Sequence, residues 1–157
     1  MRQSSSPDKT TQELKTGGAA SLYQDLFGRL GLGVAVYEPF RDGEDFRFVD
    51  LNAQALFLSE VSLSDVKGRL LSECFPGAKD MGIIDALRRV HRTGTRESLA
   101  PQRYQDARRD KWFRNDIFRL VDGNIVAVYT DVTADMQSAE ALHESETRYR
   151  LLTESLT

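Results

Sequence analysis

Asn124-Ile125-Val126-Ala127-Val128-Tyr129-Thr130-Asp131-Val132-Thr133 is the stretch on which the fold turns. Its β-branched and aromatic residues read as a strand that stops at Asp131-Val132-Thr133. From there to the last residue the chain is polar, helix-favouring and free of Gly and Pro. A sheet strand therefore feeds directly into a long exposed helix. Upstream, Asp122-Gly123 separates this strand from a second run, Trp112 to Val121, and an Asp-Gly pair in that position is a strong hairpin signal. A third run, about Thr95 to Gln105, completes a three-strand meander.

Further upstream the period changes. From Asp80 to Arg92, Ile83, Ile84, Leu87 and Val90 share one helical face, and Thr93-Gly94 ends the helix. Cys74-Phe75-Pro76-Gly77 breaks the chain, and Ser64-Asp65-Val66-Lys67-Gly68 reads as a short helix start with a Gly stop. Asn52 to Leu58 is helical in composition, with Asn52 placed to cap it. Two strands precede it: Phe46 to Asp50 alternates as a half-buried strand, and Val34 to Glu38 is a β-rich run ended by Pro39. Arg41-Asp42-Gly43-Glu44 supplies the turn between them. A short helix from Ser21 to Leu30 carries Leu22, Leu26, Phe27 and Leu30 on one face, with Ser21 as cap and Gly31 as stop. The residues before it hold too little apolar area to offset their ordering entropy and read as a flexible lead-in. The order of two strands, several short helices and three strands predicts an α+β fold. Its sheet has five antiparallel strands with short helices on one face, flanked by an N-terminal helix and a C-terminal linker helix.

The 157 residues suffice for one domain with a core. A net charge of −3 excludes a broad footprint for nucleic acid. The basic cluster from Arg103 to Arg119 is interleaved with Asp106, Asp110 and Asp116, which suits a solvated sheet edge better than an anion site. A single cysteine, Cys74, excludes an internal disulfide and fits a reducing compartment. No apolar run approaches the ~20 residues of a membrane span. A cytoplasmic module without direct membrane contact is expected. A strand wired into a free helix favours signal transmission over catalysis as its task.

Asn52-Ala53, Val66-Lys67-Gly68-Arg69-Leu70, Glu73-Cys74-Phe75-Pro76, Thr93-Gly94, Trp112-Phe113, Asp122-Gly123 and Asp131-Val132-Thr133, in this order, resemble a PAS domain over residues 20–133. The resemblance implies a sensory module with a cavity between sheet and helices, and Asp-Val-Thr as the junction between sheet and output helix. It divides the chain into a flexible segment 1–19, the sensory domain 20–133 and a linker helix 134–157. Ser145-Glu146-Thr147-Arg148-Tyr149-Arg150-Leu151-Leu152 resembles the opening of a further such module, and Tyr149, Leu152 and Leu156 repeat the spacing of Tyr23, Leu26 and Leu30. The linker seam of Ala139, Leu142, Tyr149, Leu152 and Leu156 points to a helix that pairs with its copy in a homodimer. The alternative is a helix lying back on its own sheet. The resemblance further implies an effector outside the chain, of histidine kinase or diguanylate cyclase type, in two-component or cyclic-dinucleotide signalling.

Chemistry has few candidates. The flavin-binding light sensors of this family carry Gly-x-Asn-Cys-Arg-Phe-Leu-Gln; here the run is Gly68-Arg69-Leu70-Leu71-Ser72-Glu73-Cys74-Phe75. Leu71 occupies the reactive cysteine's place, and a Leu forms no flavin adduct. His91 falls off the apolar face of its helix, so neither haem nor flavin is expected, and no metal site or catalytic set is recognisable. Alternation puts Phe113, Asn115 and Ile117 on one strand face and Ala127 and Tyr129 on the next. The resemblance implies that these faces point inward, opposite Leu56, Ile84 and Leu87, and these eight are the pocket candidates. Buried Asn115 and the Tyr129 hydroxyl then need partners: each other, a water or a small unidentified ligand. Asp131 and Thr133 are expected to fix the exit of the helix by capping its first turn. Two other readings stay open, a ligand-free dimerisation and transmission module with a filled core, and a small α+β enzyme.

Overall fold

A computed structural model describes residues 9–155, with side chains from residue 18 onward. The elements in chain order are α1 (Lys9–Arg29), β1 (Gly33–Phe40), β2 (Asp45–Leu51), α2 (Ala53–Ser59), α3 (Leu63–Val66), α4 (Leu71–Cys74), α5 (Ala78–Met81), α6 (Ile83–Thr93), β3 (Glu97–Ser98), β4 (Gln102–Gln105), β5 (Asp110–Arg119), β6 (Ile125–Asp131) and α7 (Thr133–Ser155). The strands form one antiparallel sheet in the order β2-β1-β6-β5, with β3 and β4 side by side along the outer edge of β5. The sheet thus has five strand positions, the last split in two, and the α+β prediction with helices α2–α6 over one face holds.

β1 lies between β2 and β6, and its residues Val34 to Tyr37 are all buried. A central strand covered on both faces shows a continuous apolar run instead of alternation. Ala35 and Tyr37 join the main core beneath the helices, with Phe46, Phe48, Leu87 and Ile117. Val34 and Val36 face the other way with Val126, where Phe27 of α1 packs on them. Pro39 is tolerated inside β1 because the ladder to β6 ends at Tyr37, so its missing N–H leaves no gap there. The β5–β6 hairpin closes at Asp122-Gly123, where the Asp122 carboxylate accepts the Asn124 N–H at 2.9 Å.

Four element boundaries differ from the sequence reading. The single strand expected from Thr95 to Gln105 is interrupted at Leu99-Ala100-Pro101, since Pro101 has no N–H for the ladder; Leu99 still donates to the Asn115 carbonyl at 2.8 Å. The helix expected from Asp80 to Arg92 breaks at Gly82, whose φ of 93° ends α5 and starts α6. β1 continues to Phe40 instead of ending before Pro39. α1 begins at Lys9 and not at Ser21, so helix extends into the segment 1–19 read as a lead-in; residues 1–8 lie outside the described residues. Of the α1 face expected to dock, only Phe27 does. Leu22, Tyr23 and Leu26 are more than half exposed at 68%, 56% and 60%.

Asn52 joins three elements. Its Oδ1 accepts the Ala55 N–H at 2.8 Å, the expected cap, and the Val34 N–H at 2.9 Å; its Nδ2 donates to the Leu32 carbonyl at 2.9 Å. The capping residue of α2 is therefore also the clamp on the start of β1.

Candidate functional site

Beneath the helices the core leaves a cavity of about 70 Å³. Phe48, Phe75 and Phe113 give it aromatic walls, and Leu58, Leu71, Ala78, Met81 and Ile83 the aliphatic side. Tyr37, Ser59, Tyr104, Arg109, Asn115 and Tyr129 bring polar groups to it. Pockets that bury drug-sized ligands run to ~300–1,000 Å³, so these walls enclose room for a few waters or a molecule of a few heavy atoms.

Period-two alternation on β5 and β6 delivers the inner wall. Phe113, Asn115 and Ile117 all point under the helices, as do Ala127 and Tyr129. Of the eight pocket candidates, Phe113, Asn115 and Tyr129 line the cavity. Ile84, Leu87, Ile117 and Ala127 are buried in the surrounding core, and Leu56 is partly buried at its margin. Tyr129 has room because β1 carries a glycine opposite it: a Cβ on Gly33 would come within 2.9 Å of the ring. Asn115 and Tyr129 are register partners on adjacent strands but not hydrogen-bonded to each other. The Tyr129 hydroxyl pairs with Ser59 Oγ at 3.0 Å and reaches the Ala55 carbonyl at 3.4 Å. Burial pushes it up to about 12, against the opposing hydrogen bond from Ser59.

The remaining polar wall comes from residues outside the sequence candidates. Tyr104 donates to Asp106 Oδ2 at 2.6 Å, and Arg109 Nη1 reaches the same oxygen at 3.0 Å. The Arg108 and Arg109 N–H groups both donate to Asp106 Oδ1 at 2.8 Å. Burial pushes the Asp106 carboxyl up, but these four bonds outweigh it and hold the group at about 2. Burial and the Asp106 bond together push Tyr104 up to about 12. The Arg109 guanidinium lies over the Phe75 ring at 5.3 Å, with its Nε 3.7 Å from Glu60 Oε2. Arg109 lines both the cavity and a wider surface groove bordered by Glu60, Arg69 and Asp106, so it stands where the cavity meets the outside.

Among the described residues, the Tyr37 hydroxyl and the Asn115 carboxamide, on residues each 5% exposed, face the cavity without a side-chain hydrogen bond, while the fully enclosed side-chain atoms without a partner are Gln102 Oε1 and Arg109 Nε. Tyr37 is pushed well above its ordinary value by burial first, then by Tyr129 and Cys74.

Other sequence candidates find plain roles. Leu71 is buried at the cavity wall. Cys74 is partly buried against the core, and burial pushes its thiol up despite nearby Arg69, which makes it a poor nucleophile. His91 is not the solvated residue its off-face position suggested. Its Nε2 lies 3.1 Å from Asp42 Oδ1, docking α6 onto the β1–β2 turn, while Arg88 holds the Gly43 carbonyl at 2.9 Å. The interleaved charges from Arg103 to Arg119 resolve into pairs, Arg103 with Asp110, Arg109 with Asp106 and Arg96 with Asp116. Among the described residues no group of three or more His, Cys, Asp or Glu is disposed to hold a metal, and no helix is long and apolar enough to cross a membrane.

At the sheet–helix junction, Asp131 Oδ1 accepts the Thr133 N–H at 2.8 Å and also the Thr133 hydroxyl proton. The Thr133 hydroxyl in turn accepts the Trp112 N–H at 2.9 Å, and Trp112 accepts from Val132 at 2.8 Å. Thr133 thus ties the start of α7 to β5 instead of capping the first turn of the helix. Beyond this clasp α7 contains no buried residue, and Leu142, Tyr149 and Leu152 of its seam are exposed. Leu156 lies outside the described residues.

The signals for the missed wall residues were uneven. Tyr104 is inward by period two within Gln102-Arg103-Tyr104-Gln105, so alternation alone would have found it. Tyr37 was masked because β1 is apolar throughout. Arg109 sits in a charged loop, and its inward course depends on Asp106 and Phe75, neither of which marks it in the sequence.

Comparison with known proteins places this geometry in a family. Residues 33–137 match the family model described as the PAS fold. Among solved structures, a domain of the sensory box sensor histidine kinase/response regulator from Geobacter sulfurreducens superposes with a TM-score of 0.58 at 14% identity, covering 74% of this chain and 96% of that one. The PAS domain of an HTR-like protein from Haloarcula marismortui gives 0.59 at 17% identity, covering 78% and 99%. A LOV protein from Rhodobacter sphaeroides gives 0.60 at 11% identity, covering 80% and 73%. No curated protein matches in sequence.

Proposed function

Because the chain belongs to the PAS fold family, we propose that it is a sensory and signal-relay module that hands a conformational change in its core to an effector through α7. The observation that carries this reading is the clasp at Asp131, Thr133 and Trp112. It fixes α7 to Trp112 near the start of β5, next to Phe113 and three residues before Asn115, while α7 itself buries no residue. A shift of the β5 wall is then a shift of the helix root. A two-state element biased by a ligand is the physical requirement for such a relay.

The division into a sensory domain 20–133 and a linker helix 134–157 is supported by the end of β6 at Asp131 and the exposed course of α7. The effector is of histidine kinase type, as in the name of the Geobacter relative, or of diguanylate cyclase type. A homodimer is supported by the exposed apolar residues on both terminal helices, Leu22, Tyr23 and Leu26 on α1 and Leu142, Tyr149 and Leu152 on α7. A cytoplasmic setting suits the single partly buried thiol, Cys74.

The test is Asp131→Ala in a protein that joins this domain to its effector. Effector activity changes while thermal melting still shows a folded domain. Wild-type signalling in the variant counts against the relay.

A further inference from the structure

The cavity wall carries more hydrogen-bonding capacity than the protein uses. Most of its polar groups are matched: Ser59 with Tyr129, and Tyr104 and Arg109 with Asp106. The Tyr37 hydroxyl, the Asn115 carboxamide and Arg109 Nε–H are not. Natural interiors rarely leave such groups unmade. Arg109 Nε is closed off beside Glu60, whereas the phenol and the carboxamide at the cavity each offer both a donor and an acceptor.

The charge at the site is balanced already. Arg109 faces Asp106 at 3.0 Å and Glu60 at 3.7 Å, and Lys111 faces Glu60 at 3.4 Å, so two cations meet two carboxylates. A ligand anion would compete with Asp106 for Arg109, and a ligand cation would face Arg109 unopposed. The walls are otherwise aromatic and aliphatic, and the volume is about 70 Å³. A water's share of its liquid is ~30 Å³, so this space takes a head group and a short apolar tail.

Building on the sensory reading of this cavity, we propose that its ligand is a small uncharged molecule with an amide- or alcohol-type head, held by Tyr37 and Asn115, and an apolar body of a few carbons against Phe48, Phe75 and Phe113. The head both gives and takes hydrogen bonds, as the phenol and the carboxamide that hold it do.

The isosteric pair propionamide and propionate tests this, because the two differ in charge and not in heavy-atom count. The isotope-labelled 157-residue chain is titrated with each at constant ionic strength, followed by backbone amide shifts and thermal melting. Propionamide gives saturable shifts centred on Asn115 and Tyr129 and raises the melting temperature; propionate binds about tenfold more weakly or worse. Asn115→Leu, which removes the head-group contact and fills space, weakens propionamide by about tenfold, the effect of one lost hydrogen bond. Tyr37→Phe removes only a hydroxyl and weakens it several-fold, which keeps the test decisive if Asn115→Leu unfolds. Equal or tighter propionate binding overturns the proposal, as do binding indifferent to both variants and the absence of any saturable shift. Effector output in Asp131→Ala is read separately, so a wrong ligand class and a wrong relay are told apart.

Discussion

Thr133→Val deletes one oxygen and keeps the side-chain volume, and the structure assigns that oxygen two bonds. It accepts the Trp112 N–H at 2.9 Å and donates to Asp131. The variant leaves the half-buried Trp112 N–H without its acceptor. An unsatisfied buried donor costs about 1–3 kcal/mol, and partial solvent access places this one near the lower end, about 1–1.5 kcal/mol. Asp131→Ala is milder. It strands the exposed Thr133 N–H and the Thr133 hydroxyl proton, both of which water can reach, so the low end of a capping loss applies, about 0.5–1 kcal/mol. Both are small beside a domain stability of about 5–15 kcal/mol but comparable with the ~1–3 kcal/mol that couples sites in allostery. Urea denaturation of each variant and the double variant measures the losses, and amide exchange reports on Trp112. The expected results are a larger loss for Thr133→Val, faster exchange at Trp112, and non-additivity, because the two side chains share a bond. Unchanged Trp112 protection, with stability within about 0.3 kcal/mol of wild type, would refute the clasp.

Two further outcomes follow from buried polar groups. Asn52→Ala removes the α2 cap, worth about 0.5–2 kcal/mol, and strands the Val34 N–H and Leu32 carbonyl. Urea denaturation should show a loss of about 2–4 kcal/mol, and a loss below about 1 kcal/mol would contradict the clamp. Asp106 is held below its ordinary 3.8, at about 2. A depressed carboxyl contributes stability that is complete above the unfolded value and is lost as pH falls through the folded one. Wild-type stability should therefore drop between about pH 4 and 2, and Asp106→Asn should flatten that part of the acid transition; an identical acid profile would contradict the assignment.

The fold was legible because its signals are local and redundant. The Asp122-Gly123 turn, the Asn52 cap and the Gly94 stop each depend on neighbours within a few residues, and the apolar periods around them agree. The misplacements arose where one residue overrode a period. Gly82 interrupts an otherwise continuous apolar face because its φ of 93° suits no ongoing helix, and Pro101 interrupts a strand whose side chains still alternate correctly. The docking of His91 on Asp42 was invisible for another reason. Those residues are 49 apart in the chain, and nothing in either neighbourhood marks the pairing.

The site was half legible, and the division follows the physics of strands. Alternation places Phe113, Asn115 and Tyr129 at the wall because β5 and β6 run under the helices in fixed register. It cannot say which inward residues meet a void and which meet other side chains. Ile117 and Ala127 share those faces yet are fully covered, since α6 lays Ile84 and Leu87 into the same core. The void lies instead toward the short helices α4 and α5, where Leu71, Phe75, Ala78 and Met81 are spaced by turns and not by a period. Its polar corner depends on Asp106, which faces inward only because two backbone N–H groups, a tyrosine and an arginine converge on it. A carboxylate half-buried in that way repays its desolvation by orienting its partners. Asp106 thereby holds Arg109 across the boundary between cavity and surface groove. The residue that positions Arg109 at the cavity margin is thus one whose sequence context, a run of alternating charges, reads as ordinary surface.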